Sequence, residues 1–185
     1  MSNTATTTSG KTKKTSGRSY LRALWSTLRT LVFIALLAMV AAYYFFPVIR
    51  VHTGGMSPTL SNGDMVVALK DGECQRGDVV AFYFNDKLLV KRVIAVAGDV
   101  FAMDEDGHVS LNGQPLDEPY VSVFAVGECD LDMPYTVPEG RLLVLGDQRQ
   151  LSLDSRSSAI GCVAQEQIVG RILMRFWPLE QFTIY

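Results

Sequence analysis

Histidine and cysteine are scarce in this chain of 185 residues, and each shortage removes a class of chemistry. Only His52 and His108 occur, and neither has a metal-ligand neighbour at a useful spacing. A Ser/His/Asp or Cys/His apparatus is therefore hard to assemble, and hydrolytic chemistry would need a different base. Cys74, Cys129 and Cys162 are too few and too scattered for a metal site or a disulfide framework, so no metal and no cofactor are expected. Their odd number leaves at least one thiol free; we expect mostly buried structural cysteines and at most one disulfide. Acid is missing altogether from residues 1–29, which hold Lys11, Lys13, Lys14, Arg18, Arg22 and Arg29. Residues 30–185 carry 11 bases and all 19 acids, a net charge of −8. That excess of acid argues against nucleic acid as a partner, because phosphate binding needs a basic face. A hydrophobic share of 48% also excludes a chain disordered throughout.

The boundary between the two charge regimes is one long apolar run. Residues 30–49 are uncharged from just after Arg29 to just before Arg50. Twenty residues rising about 1.5 Å each span roughly 30 Å, the thickness of a bilayer's hydrocarbon core. This predicts a transmembrane helix over 30–49, with Tyr43, Tyr44, Phe45 and Phe46 as an aromatic belt and Pro47 as a stop. The preceding bases put residues 1–29 in the cytoplasm as a basic tail, and residues 50–185 outside as a single domain. Within the tail, Met1 to Gly17 is expected to be disordered, and Arg18 to Arg29 to extend the helix along the headgroups. A cleaved signal peptide is the competing reading, but its apolar core is shorter, about 7 to 15 residues, and ends in a small-x-small exit. No Ala-x-Ala occurs in the apolar run, whose alanines fall at 35, 38, 41 and 42. A buried core helix would leave the one-sided bases unexplained.

Beyond residue 50 the pattern changes from continuous to interrupted. Residues 64–69, 78–84, 88–97, 100–103, 108–111, 120–123, 141–145 and 168–176 are short β-branched or aromatic runs separated by Gly, Asp, Asn and Pro. Asn62-Gly63, Asp106-Gly107 and Asn112-Gly113 are hairpin signals, and residues 72–76 and 126–138 read as longer loops. No long amphipathic helix and no internal repeat appear. The expected fold class is mainly β: a membrane-tethered antiparallel β domain behind one N-terminal helix.

Three segments carry more than structure. Thr53-Gly-Gly-Met-Ser-Pro-Thr-Leu60 follows the apolar run directly. In the strand from Leu88, Lys91 alternates with Leu89, Val93 and Ala95, while Arg92 alternates with Val90 and Ile94. Both faces are apolar, so one of these charges is buried or covered. A buried lysine loses its proton easily, because desolvation disfavours the ammonium, and so becomes a candidate general base. The plainer alternative is a lysine that reaches solvent at an edge or pairs with an acid. In Gly146-Asp-Gln-Arg-Gln-Leu-Ser-Leu-Asp-Ser-Arg156, the side chains of Ser152, Asp154 and Arg156 can bond to one another and orient a neighbour; the alternative is a solvated polar loop.

In this order, behind one apolar helix, these segments resemble the type I signal peptidases, membrane-bound serine/lysine endopeptidases. The family's Ser-Met-x-Pro-Thr-Leu stands here as Gly55-Met-Ser-Pro-Thr-Leu60. Its Arg-Gly-Asp box stands as Arg76-Gly-Asp-Val-Val80, and its Lys-Arg-Val-Ile box with a later Gly-Asp as Lys91-Arg-Val-Ile94 and Gly98-Asp99. Its last box matches from Gly146 to Arg156, except that Gln148 replaces Asn. The resemblance implies Lys91 as general base, Ser152 as the group that orients it, and Asp154 and Arg156 as support. It implies oxyanion donors at the backbone N–H of residue 55 and at Thr53, and substrate or membrane contacts at Met56 and Pro58. Residues 176–179 would rest on the bilayer surface, with ordinary core packing as the alternative. The implied partners are the lipid bilayer and signal peptides of exported preproteins, bound as an added strand with small residues first and third before the cut. The implied location is a bacterial cytoplasmic membrane, crossed once.

One departure stands at the centre: Gly55 occupies the nucleophile position, and glycine cannot form an acyl-enzyme. Ser57 cannot take over, being two residues away and held in register by Pro58-Thr59-Leu60. The expectation is thus a signal peptidase-like protein that cleaves only with serine at position 55. The alternative is a non-catalytic module or chaperone that holds exported or pilin precursors. A soluble self-cleaving Ser/Lys repressor has no use for the apolar helix, and residues 1–29 are too short for a DNA-binding domain.

Overall fold

The computed structural model describes residues 17–52, 54–70 and 72–185, so Thr53 and all but Gly17 of the tail expected to be disordered over 1–17 lie outside the described residues, and Gly17 itself opens a helix. The chain forms two units, residues 1–42 and 43–185.

The first unit is helical. α1 runs without a break from Gly17 to Phe45, and its apolar side chains are exposed along its length. A surface of leucine, valine and phenylalanine this large is unfavourable in water, and residues 20–45 are long and apolar enough to cross a membrane. The helix begins before the apolar run and ends inside it. Pro47 has no N–H to donate and disfavours a helical conformation at Phe46, so the expected end at residue 49 moves back to Phe45. The β-branched Val48 and Ile49 instead enter β1, Val48–Arg50.

The second unit is two antiparallel sheets. The larger contains β1, β2 (Met65–Leu69), β3 (Val79–Phe84) and β4 (Lys87–Val96). Later in the chain come β5 (Val100–Met103), β6 (Val109–Leu111), β7 (Gln114–Pro115), β8 (Tyr135–Thr136), β9 (Arg141–Leu145), β10 (Val163–Ala164), β11 (Ile168–Trp177) and β12 (Thr183–Ile184). The large sheet has the order β1-β2-β11-β3-β4-β9-β10, with β12 on β11; the small one has the order β7-β6-β5-β8. β3 and β4 pair from Val79↔Arg92 to Phe84↔Lys87, closed by Asn85 and Asp86 at φ 46° and 58°. Both side chains tolerate that left-handed region, which a two-residue hairpin needs. Apolar side chains of β1 to β4 and β11 gather with Val51, Met56 and Leu60 in one core cluster, while Phe101, Val109 and Leu111 of the small sheet meet Leu143 and Leu145 of β9 in another.

The run 120–123, expected as a strand, is a turn instead: Val121 N–H donates to the Glu118 carbonyl, and the Tyr120 ring covers the Arg92 guanidinium at 4.0 Å. Alternation is present there, but the tyrosine is used as a lid. All three cysteines are free thiols, Cys74 and Cys162 buried and Cys129 partly exposed.

Candidate active site

The segment that resembles a nucleophile box leaves β1 through buried Val51 and tightens into a short 3-10 turn, Gly54–Met56. The turn is anchored by its apolar residues. Met56 and Leu60 are fully buried in the large-sheet core, and Leu60 N–H donates to the Met56 carbonyl at 2.9 Å. Met56 therefore does not reach a bilayer surface, contrary to expectation: its thioether fills core space that a membrane contact would leave empty. Pro58 is exposed. The Gly55 carbonyl accepts a hydrogen bond from Gln148 N–H at 3.1 Å, which ties this turn to the segment 146–156.

Lys91 sits in the middle of β4, and both apolar faces of that strand are covered, so Lys91 (2% exposed) and Arg92 (8% exposed) are both buried. Their surroundings differ. Arg92 donates from Nε and Nη2 to the two Asp147 oxygens at 2.9 and 2.7 Å and from Nη1 to the Gly77 carbonyl at 3.0 Å. Lys91 Nζ donates to Ser152 Oγ at 2.7 Å. Of the five buried bases among the described residues, Arg92, Arg149, Arg156 and Arg175 each meet a carboxylate; Lys91 meets none within 4 Å. Burial accordingly pushes its amine down to about 8; the Asp154 and Asp147 charges oppose that fall and Arg156 adds to it.

Ser152, Asp154 and Arg156 come together as a support. Asp154 accepts from Arg156 Nε at 2.8 Å and Nη2 at 2.9 Å, and from Gly146 N–H at 2.9 Å. Burial works to raise this carboxyl, but the Arg156 bonds and charge prevail and hold it below the usual carboxylate range. Arg156 also donates to the carbonyls of Val126 at 2.7 Å and Arg149 at 2.8 Å. A Cβ at Gly146 would run into both the Ser152 side chain and the Gly55 carbonyl, so glycine there permits the close approach.

Gly55 lies at the meeting point. Its backbone does not use the left-handed region, and a Cβ built there would stand 2.8 Å from Lys91 Nζ and 3.4 Å from Ser152 Oγ. A side chain at this position would thus extend directly toward the amine, whose flexible end must yield slightly. Thr53, the expected oxyanion hydroxyl, lies outside the described residues.

Several residues quoted in the motifs prove to hold the motifs to each other. Thr59 Oγ1 donates to Asp147 at 2.5 Å, Asp147 binds Arg92, and Arg92 reaches Gly77. Arg76 donates to Asp99 from Nε at 2.7 Å and again from its Nη2. All four segments are therefore closed into one network of charge-assisted bonds, which are stronger than neutral ones. Glu118 was not foreseen at all. It forms a fully buried ion pair with Arg149, at 2.5 and 3.1 Å, and accepts from the Tyr120 hydroxyl at 3.0 Å. The hint available in the sequence was Arg149 itself, a base inside a predicted loop with no acid assigned to it. Among the described residues, no group of three or more His, Cys, Asp or Glu is placed to hold a metal ion.

Comparison with known proteins gives a consistent result. The family described as "Signal peptidase, peptidase S26" matches residues 24–177. Signal peptidase IB of Staphylococcus aureus strain COL is 37% identical over 147 residues, covering 69% of this chain and 75% of that protein. Signal peptidase I of Bacillus licheniformis is 31% identical over 172 residues, covering 86% of this chain and 91% of its own. A crystal structure of a signal peptidase I from Enterococcus faecalis V583 aligns with 30% identity and a TM-score of 0.44, over 54% of this chain and 97% of the other.

Proposed function

The chain belongs to the signal peptidase family, peptidase S26, whose members are serine endopeptidases, and from that premise we propose that it recognises signal peptides of exported preproteins with a cleavage apparatus complete but for its nucleophile, so that it cuts them only with serine at position 55. The observation that carries this reading is the 2.8 Å between the Gly55 Cβ direction and Lys91 Nζ. Lys91, Ser152, Asp154 and Arg156 meet around that point, which supports reading them as base, orienting hydroxyl and buttress for a nucleophile that glycine does not supply.

With serine at position 55, each part has a task. The unprotonated Lys91 amine takes the hydroxyl proton as the oxygen attacks the scissile carbonyl, then returns a proton to the leaving amine. Ser152 accepts one N–H of that amine and so fixes its lone pair, and Asp154 with Arg156 holds the backbone of the segment that carries Ser152. The backbone N–H of residue 55, with Thr53, supplies the oxyanion donors. Glycine leaves these groups without a nucleophile. In this reading residues 1–29 lie in the cytoplasm and residues 50–185 outside a bacterial membrane, on the strength of the one-sided bases. Trp177 and Leu179, 52% and 70% exposed, are free to rest on the bilayer surface.

Gly55 equally favours a second reading, a holding module for exported or pilin precursors in which cleavage plays no part. The two separate in one experiment: a preprotein with a small-x-small site is offered, in liposomes, to this chain, to Gly55→Ser and to Gly55→Ser with Lys91→Ala. Product is expected from Gly55→Ser alone, with Lys91→Ala lowering the rate by roughly 10²–10⁴. The rate should rise about tenfold per pH unit and level off above about 8, since the active base is the unprotonated form of a group titrating there. Binding with no product from Gly55→Ser would favour the holding module.

A further inference from the structure

We infer that a pocket of about 110 Å³ beside Gly55 receives the first residue after the cleavage point and favours a short, neutral, hydrogen-bonding side chain there; this deepens the signal-peptide reading and rests on it. Its uncharged lining is Ser57, Pro58, Ser122, Val123, Gln148 and Gln150. At ~30 Å³ per water it holds about four waters, the size of a short side chain.

Connectivity gives the direction. α1 ends at Phe45 and β1 begins at Val48, so residues 48–54 are the stretch that joins the apolar helix to Gly55 along the chain. A signal peptide keeps its apolar core in the bilayer, ahead of the cut, so the residues preceding the cut come along the 48–54 side. None of the described residues among 48–54 lines the pocket, which begins at Ser57, beyond Gly55.

The walls give the chemistry. Two charged residues stand at the pocket, and both are already satisfied: Asp147 by Arg92 and Thr59, Arg149 by Glu118. An incoming charge would lose water and find no counter-ion. The hydroxyls of Ser57 and Ser122 and the carboxamides of Gln148 and Gln150 make no hydrogen bond to other described residues, so both donors and acceptors are on offer to a neutral polar side chain. Gln148, where the family box has Asn, reaches one methylene further into this space.

The test needs no catalysis. Labelled signal peptides are titrated against the full chain, with Gly55 in place, in detergent micelles, and binding is read by fluorescence anisotropy. One peptide stops at the cut; others continue for four residues beginning with Ser, Asn, Asp or Lys. The Ser and Asn extensions should bind about fivefold to tenfold tighter than the truncated peptide, and the Asp and Lys extensions no tighter than it. In Gln148→Ala and Ser57→Ala the ratio of extended to truncated affinity should fall toward one. Equal affinities for all peptides, or variants that weaken truncated and extended peptides alike, would overturn the subsite while leaving signal-peptide capture standing. No binding of any peptide would overturn capture itself, and the subsite with it.

Discussion

Charge is handled in opposite ways in two regions of the β domain. Residues 97–140, which include the small sheet, hold ten acids and no lysine or arginine. Most of those carboxylates face solvent, and the small sheet is held by apolar contacts of Phe101, Val109 and Leu111. The large sheet and the segment 146–156 do the reverse, sealing Arg92, Arg149, Arg156 and Arg175 inside against acids. Only two acids of the first region meet bases among the described residues, Asp99 with Arg76 and Glu118 with Arg149, and both bases lie outside that region. The difference teaches that net charge says little about where charge matters. Acid on the small sheet keeps the surface hydrated, whereas buried pairs fix the positions of the segments that meet at the candidate site.

The comparison is sharpest at Glu118. Glu118→Ala would leave Arg149 as an uncompensated charge with no exposure, at a cost of about 3–5 kcal/mol, read from the urea midpoint of the full chain in detergent. A loss under 1 kcal/mol would mean that the buried pair is no more than a surface contact. Next comes Lys91, whose amine titrates near 8 in the folded chain against 10.5 otherwise. Its folded value is depressed, so the burden on stability is full below about 8 and is relieved as pH rises toward 10.5. Lys91→Met should therefore stabilise the chain by roughly 1–3 kcal/mol at pH 6, with the gain shrinking by pH 10. A gain that does not change with pH would show that Lys91 carries no such burden. Smallest of all, Glu105→Ala and Glu139→Ala on the acidic region should stay within about 0.5 kcal/mol by the same measurement. Larger losses there would erase the contrast between the regions.

Legibility in the sequence followed the range of the interaction. β5 and β9 coincide with the expected runs, and β2, β3, β4, β6 and β11 fall within a residue or two, because alternation and turn residues are local. β1 was hidden because Val48 and Ile49 prolong an apolar run that reads as helix until Pro47 is weighed. The candidate site divides the same way. Lys91 stood out as a charge on a strand with two apolar faces. Thr59 and Asp147, 88 positions apart, and Glu118 and Arg149, 31 apart, show nothing locally that would pair them. Met56 misled for a related reason: an apolar residue beside a site looks the same in sequence whether it turns to a membrane or to the core.

The bare backbone at Gly55 also changes the clock of any complex formed at this site. An active peptidase ends each encounter by chemistry, and the fragments leave as products. Under the proposed function a precursor bound with Gly55 in place has no covalent exit, so its lifetime is set by dissociation alone, and residence time becomes the quantity on which a biological role would act.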